Sequence, residues 1–136
     1  MSLLFTPVEI GSLQARNRLW VAPMCQYSSV DGMPNTWHLT HLSSFATGGA
    51  GLVMTEATAV SPEGRISPED TGIWNDKQRD AWAPIAAEIR ARGALSAIQL
   101  AHAGRKAPTW SPLKAGRGSV PAADGGWQAL APSPIA

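Results

Sequence analysis

The sequence predicts an α/β fold built around a parallel β-sheet. Three short apolar runs, at 19–22, 51–55 and 97–100, are typical of strands that are buried on both faces. Two segments with apolar residues at helical spacing lie between them. The order strand, helix, strand, helix, strand defines two consecutive βαβ units, which take right-handed crossovers. The chain has 136 residues, about the length of one domain.

A β-hairpin is predicted before the sheet, within an arm that covers residues 1–17. Residues 8–10 and 13–14 carry alternating apolar and polar side chains on either side of a turn at Gly11. Alternation around a glycine-bearing turn favours two short antiparallel strands. An irregular arm is the alternative interpretation of this segment.

The first strand of the sheet and the first helix follow the arm. The apolar run at 19–22 predicts the strand, and 24–35 are rich in the Ser, Asp, Gly, Pro and Asn of loops. The helix is expected to begin after Asn35 or Thr36, either of which can cap its first turn. It is expected to end at Gly48, because glycine commonly terminates helices.

The second strand, at 51–55, leads through a turn-rich loop into the second helix. Asn75, with Gln78 three residues later, resembles a capping box and predicts the helix start. The helix is expected to stop at Gly93. Pro84 lies inside it, lacks a backbone N–H and crowds the preceding turn, so we expect a kink or a second helix start there.

The last segment of the chain has a different composition. Residues 18–104 hold the three strands and two helices, whereas 105–136 contain five prolines and four glycines without periodicity. A long run of this kind is usually a functional loop or disordered. Trp110 and Trp127 argue against a plain linker, which rarely carries large aromatic side chains. We therefore predict a lid-like loop.

Composition narrows the possible functions. The formal net charge of +1 is too small to favour nucleic acid or an anionic membrane as a partner. Charged residues make up only 15% of the chain, which indicates that some of its uncharged surface faces another protein segment. The single cysteine, Cys25, excludes an internal disulfide and a cysteine-based zinc site. With no signal-peptide pattern and no apolar run near the ~20 residues of a membrane span, the sequence predicts a cytoplasmic protein.

Polar side chains follow the predicted strands, where parallel α/β folds bind their ligands. Cys25 and Tyr27 come after the first strand, and Gln99, His102 and Arg105 lie in or after the third. His102 is expected to be structural, and Arg105 either attracts an acidic cofactor or is solvated. The sequence lacks the glycine-rich motifs that cradle dinucleotides and triphosphates.

Four separated motifs resemble those of one family. Residues 23–27 read Pro-Met-Cys-Gln-Tyr, and 56–66 begin Glu-Ala-Thr-Ala-Val. Gly-Ile-Trp at 72–74 and Gln-Leu-Ala-His-Ala-Gly-Arg-Lys at 99–106 follow. In this order they resemble the Old Yellow Enzyme family of flavin-dependent ene-reductases, specifically its thiol-containing class, which includes bacterial xenobiotic reductases. The resemblance covers nearly the whole chain.

The resemblance implies a larger fold than the strand pattern alone. Family members are (β/α)8 TIM barrels, which need ~250 residues or more. This chain is expected to be the N-terminal part, about three βα units with the hairpin, and to be inactive alone. A further chain or segment is expected to complete the barrel beside the third strand, and a homo-oligomer is expected. The lid-like loop is expected to cover the flavin, with Trp110 and Trp127 packed on it or on a neighbouring subunit.

The resemblance also implies FMN as the bound cofactor and NADPH or NADH as the reductant. Gln99 would otherwise be a polar group in a buried strand, where an unsatisfied amide costs ~1–3 kcal/mol, and its donor and acceptor suit the edge of a flavin pyrimidine. Ala57 has no reactive side chain, so its contribution comes from its backbone N–H. The predicted cofactor-binding residues are Ala22, Pro23, Met24, Cys25, Ala57 and Gln99.

Two side chains are implied to act on the chemistry. Cys25 is expected to lie beside the flavin, where its weak S–H donor alters the redox balance of the ring rather than acting as a nucleophile. Tyr27 is expected to hold the carbonyl oxygen of the substrate. No metal site is predicted, because His38 and His41, spaced i, i+3 on the first helix, are expected to be packing or surface residues.

The implied reaction passes hydride from NAD(P)H to the flavin and then to an activated alkene, such as an α,β-unsaturated carbonyl (an enone). The histidine pair that holds the carbonyl, the proton donor and the residues for the flavin phosphate are expected outside this chain. Two alternatives stay open. One is a truncated or split, non-catalytic piece that only binds or assembles. The other is a related dienoyl-CoA reductase or NADH oxidase, whose iron–sulfur cluster is bound by later cysteines.

Overall fold

The computed structural model describes residues 2–134 as a three-stranded parallel sheet, two helices and a separate hairpin. Residues 1, 135 and 136, at the outer ends of the predicted arm and lid-like loop, lie outside the described residues. The three strands of the sheet pair in chain order, with both pairings parallel, which confirms the predicted fold class. The elements are β1 (Val8–Ile10), β2 (Leu13–Ala15), β3 (Trp20–Val21), α1 (Thr36–Thr47), β4 (Leu52–Ala59), α2 (Asp76–Ala91) and β5 (Leu95–Ala101).

The predicted hairpin forms from β1 and β2 and is fastened to both helices by one side chain. The strands pair antiparallel across Gly11, whose φ of +58° is in the left-handed region that glycine tolerates. The Arg16 guanidinium then donates to the carbonyl oxygens of Ala46 and Ala50, at 2.7 and 2.8 Å. It also donates to the carbonyl of Arg92, at 3.0 Å. Arg16 therefore joins the arm to the carboxyl ends of α1 and α2.

Helix α1 begins after Asn35, not after Thr36. The Asn35 side chain accepts a hydrogen bond from the backbone N of Trp37 at 2.9 Å. In return, the backbone N of Asn35 donates to Nδ1 of His38 at 3.1 Å. These reciprocal bonds form a capping box in which histidine replaces the usual Glu or Gln. The helix ends at Gly48, as predicted.

Helix α2 starts at its predicted cap and continues through its proline. Asn75 accepts from the backbone N of Gln78 at 3.1 Å, whereas the Gln78 side chain accepts from the backbone N of Trp74 at 2.9 Å. In the predicted capping box the Gln78 side chain would accept from the backbone N of Asn75, whereas here it accepts from the residue before, Trp74. The prediction of a second helix start at Pro84 is wrong, because the helix is uninterrupted. Pro84 is exposed, so water can reach the backbone carbonyl that loses its donor.

The hydrophobic core lies between the two helices and β4. Val53 of β4 and Ile89 of α2 are fully buried. Trp82 of α2 is 5% exposed, and its indole N–H donates to the carbonyl of Gly72 at 3.2 Å. This contact ties the helix to the loop after β4. The members of the core are Leu42, Ala46, Ala50, Val53, Trp82, Ile85, Ile89 and Ala94.

The expectation that all three strands are buried on both faces holds only for β4. Six of its eight residues are buried. In contrast, Trp20 of β3 is 46% exposed and Leu100 of β5 is 63% exposed. Within residues 2–134, β3 and β5 are the edges of the sheet and each pairs on one side only. Each therefore lacks a neighbouring strand along one edge. Helix α2 packs against β5, but Gln99 and Leu100 near the end of the strand stay exposed, so the prediction is wrong for these two strands.

The segment 105–134, the lid-like segment, is more regular than its composition predicts. Thr109 and Ser119 form an antiparallel bridge, and the backbone N of Val120 donates to the carbonyl of Pro108 at 3.0 Å. The backbone N of Thr109 also donates to the carbonyl of Ile66, at 2.8 Å. The lid-like segment is therefore attached to the loop that follows β4.

Both tryptophans of the lid-like segment have contacts within this chain. The Arg65 guanidinium lies between two indoles, 4.8 Å from the ring centre of Trp127 and 5.5 Å from that of Trp74. Trp110 lies against Gly116, where a Cβ atom would come within 2.3 Å of the indole. Packing of Trp110 and Trp127 on a flavin or on a neighbouring subunit stays a prediction.

Candidate functional site at the carboxyl end of the sheet

A β-bulge near the carboxyl end of β4 sets the position of Glu56. Thr55 pairs with Ile98 and Ala57 pairs with Gln99, so Glu56 is the extra residue on β4. Its side chain is only 2% exposed. A carboxylate this deeply buried requires polar partners, because an unpaired buried charge is strongly unfavourable.

Two N–H groups face the Glu56 carboxylate. The backbone N of Gln26 donates to Oε2 at 2.8 Å. On the other side, Nε2 of His38 lies 3.0 Å from Oε1, with the His38 side chain 1% exposed. Because Nδ1 of His38 accepts the backbone N–H of Asn35, a neutral imidazole carries its proton on Nε2. The Nε2–Oε1 contact is electrostatic, since its geometry is not that of a hydrogen bond. Helix α1, strand β4 and the loop after β3 thus meet at one carboxylate.

The loop after β3 has an unusual backbone conformation at Tyr27. Its φ of 51° lies in the left-handed region, which costs a non-glycine residue about 1–3 kcal/mol. Hydrogen bonds hold the chain on both sides of this residue. Before it, Gln26 donates to Glu56 at 2.8 Å, and after it, the Asn35 side chain donates to the carbonyl of Ser28 at 2.6 Å. These bonds fix the direction in which Tyr27 is presented.

The structure brings Cys25, Tyr27 and Ala57 together. The Cys25 thiol lies near the Tyr27 hydroxyl and the backbone N–H of Ala57. Burial raises the pKa of the Cys25 thiol to about 11, and the carboxylates of Asp70 and Glu56 add to the effect. Burial also raises the pKa of Tyr27 above its ordinary value. Both groups are therefore neutral near pH 7, and the thiol is a weak donor rather than a nucleophile.

Gln99 lies in register with Ala57, but it is not buried. Its side chain is on the exposed part of β5. The prediction that Gln99 is a polar group in a buried strand is therefore wrong for this chain, because β5 is an edge strand and the part of it that holds Gln99 is exposed. Among the described residues the Gln99 amide has no hydrogen-bond partner, so its donor and acceptor are both available to a ligand.

Three of the predicted cofactor contacts lead from β3 into the loop. Ala22 and Met24 line a small cavity together with Phe45 and Leu42 of α1. Met24 is 52% exposed. Contacts of these two residues and of Pro23 with a flavin ring stay predictions.

A buried threonine cluster fixes the backbone on the far side of Glu56. The Thr58 hydroxyl donates to the carbonyl of Glu56 at 2.8 Å and lies 3.3 Å from the Thr71 hydroxyl. The Thr71 hydroxyl donates in turn to the carbonyl of Ala57, at 3.3 Å. Thr58 and Thr71 are fully buried. The direction of the Ala57 peptide groups is therefore set by protein contacts alone.

Sequence reasoning missed the two buried carboxylates as anchors. Glu56, directly after the apolar run at 51–55, and Asp70, in the turn-rich loop that follows, are not among the predicted site residues. Asp70 is 1% exposed and accepts from the backbone N of Ile66 and Ser67, at 2.8 and 3.0 Å. Burial nevertheless raises its pKa. For Glu56 the available signal was a charge directly after the apolar run at 51–55, since a buried charge needs partners.

The remaining polar candidates make local contacts. Nδ1 of His102 accepts from the backbone N of Gly104 at 3.1 Å, in agreement with a structural role. His41 stacks on Trp37 with 5.4 Å between ring centres. Within the described part of the chain, no group of three His, Cys, Asp or Glu side chains is placed to hold a metal ion. No described helix combines the length and the apolar character needed to cross a membrane.

Comparisons with known proteins agree with this arrangement. The family model described as the NADH:flavin oxidoreductase / NADH oxidase family matches residues 3–129. An NADPH dehydrogenase from Bacillus licheniformis is 50% identical over 106 residues, which are 76% of this chain and 31% of that protein. An NADH:flavin oxidoreductase from Gibberella zeae is 44% identical over 135 residues, 98% of this chain and 33% of that protein. The chain thus spans about a third of the length of the curated relatives it matches.

Solved structures share the fold. Morphinone reductase in complex with tetrahydroNAD matches with a TM-score of 0.71 and 34% identity, covering 79% of this chain and 29% of the other. The Old Yellow Enzyme homologue from Zymomonas mobilis matches with a TM-score of 0.70 and 36% identity, covering 79% and 30%. The sheet and its two helices are accordingly part of an α/β barrel of the oxidoreductase type. The chain belongs to the NADH:flavin oxidoreductase / NADH oxidase family, which confirms the resemblance to the Old Yellow Enzyme family, while membership of the thiol-containing class stays a prediction.

Proposed function

We propose that this chain supplies the flavin-facing end of the first three βα units of an FMN-dependent NAD(P)H oxidoreductase. The proposed enzyme is an ene-reductase of the thiol-containing class that reduces the C=C bond of activated alkenes such as enones. The observation that carries the proposal is the convergence of the Cys25 thiol, the Tyr27 hydroxyl and the Ala57 N–H at the carboxyl end of the sheet. Parallel α/β folds bind their ligands at this end.

The groups at this site suit the polar edge of a flavin. Gln99 offers an amide donor and acceptor that no other described residue engages, and Ala57 lies opposite it in the strand register. A flavin pyrimidine presents alternating acceptors and donors, which pair with such groups. Cys25 adds an uncharged thiol, which is compatible with a ring that becomes electron-rich on reduction. Among the described residues, the set consists of hydrogen-bonding groups rather than metal ligands.

The bound flavin would supply hydride transfer, and the chain's residues would tune and orient it. Tyr27 keeps its proton near pH 7, so its hydroxyl can donate to a substrate carbonyl oxygen. Such a donor stabilises the negative charge that develops on the oxygen as the alkene is reduced. Cys25, protonated below about pH 11, can donate an S–H hydrogen bond without attacking the substrate.

The proposed enzyme takes NADPH or NADH as reductant, is cytoplasmic, forms a homo-oligomer and has its barrel completed by a further segment. These four points rest on the sequence. The enone is proposed as a substrate class rather than as one compound. The dehydrogenase names of the Bacillus relatives support a nicotinamide reductant.

The experiment is a flavin titration of the complete barrel that contains this chain. The purified protein is expected to show flavin absorbance, or to acquire it with added FMN, and to oxidise NADPH when cyclohexenone is present. Gln99→Ala is compared with Gln14→Ala, an exposed glutamine on the hairpin, as the matched control. Absence of flavin uptake would refute the enzyme and favour the alternative of a non-catalytic assembly piece.

A further inference from the structure

Glu56 and His38 form a buried pair that the proposed chemistry does not use directly. Both side chains are 2% exposed or less, and their nearest atoms are 3.0 Å apart. Glu56 borders the small cavity beside Ala22 and Met24. A buried pair of this kind is weak evidence for stability, because removing two polar groups from water offsets much of their attraction. Its presence therefore calls for a different explanation.

The second oxygen of Glu56 provides that explanation. Oε2 accepts the backbone N–H of Gln26, the residue between Cys25 and Tyr27. A hydrogen bond from a backbone N–H does not depend on which side chain the residue carries. The bond therefore acts on the path of the loop itself.

The strained backbone at Tyr27 makes such an anchor necessary. A left-handed φ of 51° at a tyrosine persists only where surrounding contacts determine it. The Gln26 bond lies one residue before this position, and the loop is held again at Ser28 by Asn35 at 2.6 Å. Asn35 is also the residue whose N–H orients the His38 ring. One connected set of hydrogen bonds thus runs from the start of α1 to the loop.

We propose that Glu56, oriented by His38, is a positioning residue that holds the Gln26 N–H and so presents the Cys25 thiol and the Tyr27 hydroxyl at the carboxyl end of the sheet. The role of these two groups in catalysis rests on the proposed function. Their fixed placement by Glu56 does not, because it concerns contacts within this chain.

The test measures the reactivity of Cys25 in the protein as purified. Alkylation by iodoacetamide at pH 8 is followed on the Cys25 peptide by mass spectrometry, in the complete barrel. Glu56→Gln removes the buried charge and offers one acceptor oxygen to two N–H donors. We expect its alkylation rate to rise about tenfold, because the thiolate no longer faces this carboxylate and the Gln26 N–H shares its acceptor. Glu9→Gln, on the exposed hairpin, is the matched control and is expected to leave the rate unchanged.

A second variant separates position from charge. Glu56→Asp keeps the negative charge but withdraws the carboxylate by one methylene, so it can no longer reach both Gln26 and His38. We expect alkylation to rise about threefold or more, because the loop is released. If the rate is unchanged in Glu56→Asp but raised in Glu56→Gln, Glu56 acts on Cys25 only through its charge, and the proposal is overturned.

The remaining outcomes are also decisive. Equal rates in all three variants would overturn the proposal, and so would loss of the folded state in both Glu56 variants, since the pair would then determine the fold rather than the loop. A protein that never binds FMN but shows the expected rates would refute the proposed function and leave the positioning role intact.

Discussion

Strands β4 and β5 lie side by side in one sheet, with similar apolar sequences, but differ in how far their side chains are buried. β4 is paired with a strand on both sides, and six of its eight residues are buried. β5 is an edge strand whose Gln99 and Leu100 are exposed. The difference shows that burial is decided by what covers a strand, and that the exposed half of this sheet is the half with ligand-accessible polar groups.

The largest expected effect tests the difference in burial directly. Val53→Asp places a charge in a fully buried position of β4, where no partner is available, and should destabilise the fold by more than about 3 kcal/mol. Leu100→Asp, on the exposed part of β5, should change stability by less than about 0.5 kcal/mol in this chain. Denaturant unfolding followed by tryptophan fluorescence measures both. Similar losses in the two variants would mean that β5 is also covered.

A smaller effect concerns ligand binding on the exposed strand and rests on the proposed function. Gln99→Ala removes an amide that has no hydrogen-bond partner within residues 2–134, so a bound flavin loses a hydrogen bond and leaves a polar edge unpaired, at ~1–3 kcal/mol. We expect the FMN dissociation constant of the complete barrel to rise about tenfold. Cys25→Ala should retain FMN while altering its reduction potential. Equal dissociation constants for the two variants would contradict this.

A third prediction concerns the attachment of the lid-like segment to the loop that follows β4. Arg65, after β4, packs between Trp74 and Trp127 and donates to the carbonyl of Pro62 at 2.9 Å. Arg65→Ala removes cation–π contacts worth about 1–2 kcal/mol and should speed proteolysis within 105–134 several-fold. Arg79→Ala, which breaks only exposed ion pairs, is the control. No difference between the variants would show that Trp127 is held by other contacts.

The smallest effect is a pH dependence at the junction of β3 and β4. The Cys25 pKa is about 11 in the folded state against 9.0 for an ordinary thiol, so the folded state binds this proton more tightly. Stability from this group is fully present below pH 9 and is lost as pH rises toward 11. Tyr27, whose pKa is also raised, acts in the same direction at higher pH. In Cys25→Ser, the free energy of unfolding should decrease less between pH 9 and 11 than in the unmodified protein. An equal decrease in both would mean that other groups cause the pH dependence.

Local signals predicted much of this fold. Asn35 and Asn75 mark both helix starts, and the glycines at 48 and 93 lie just beyond the helix ends, because caps and terminators act within one turn. The apolar run at 51–55 predicted β4, although the strand extends to Ala59.

The rest depends on contacts between distant parts of the chain. Glu56 and His38 are 18 positions apart and share no periodic pattern, so their pairing was invisible in the sequence. The exposure of Gln99 could not be predicted either, because it depends on which segments cover β5. For the site, Cys25, Tyr27 and Ala57 were predicted as neighbours from the strand ends and the motif resemblance. The backbone strain that presents Tyr27 appeared only in the structure.

Arg16, which ties the hairpin to both helices, also balances charge at the opposite end of the sheet. The carboxyl end of a helix carries the equivalent of about half a negative charge, from its aligned peptide dipoles. Helices α1 and α2 both direct terminal carbonyls, those of Ala46 and Arg92, to the same guanidinium. The two half-charges together match its single positive charge. Arg16 at the end of the hairpin therefore offsets the partial negative charges of two helix ends that lie side by side. A planar guanidinium can donate to both ends, whereas a compact ammonium could face only one.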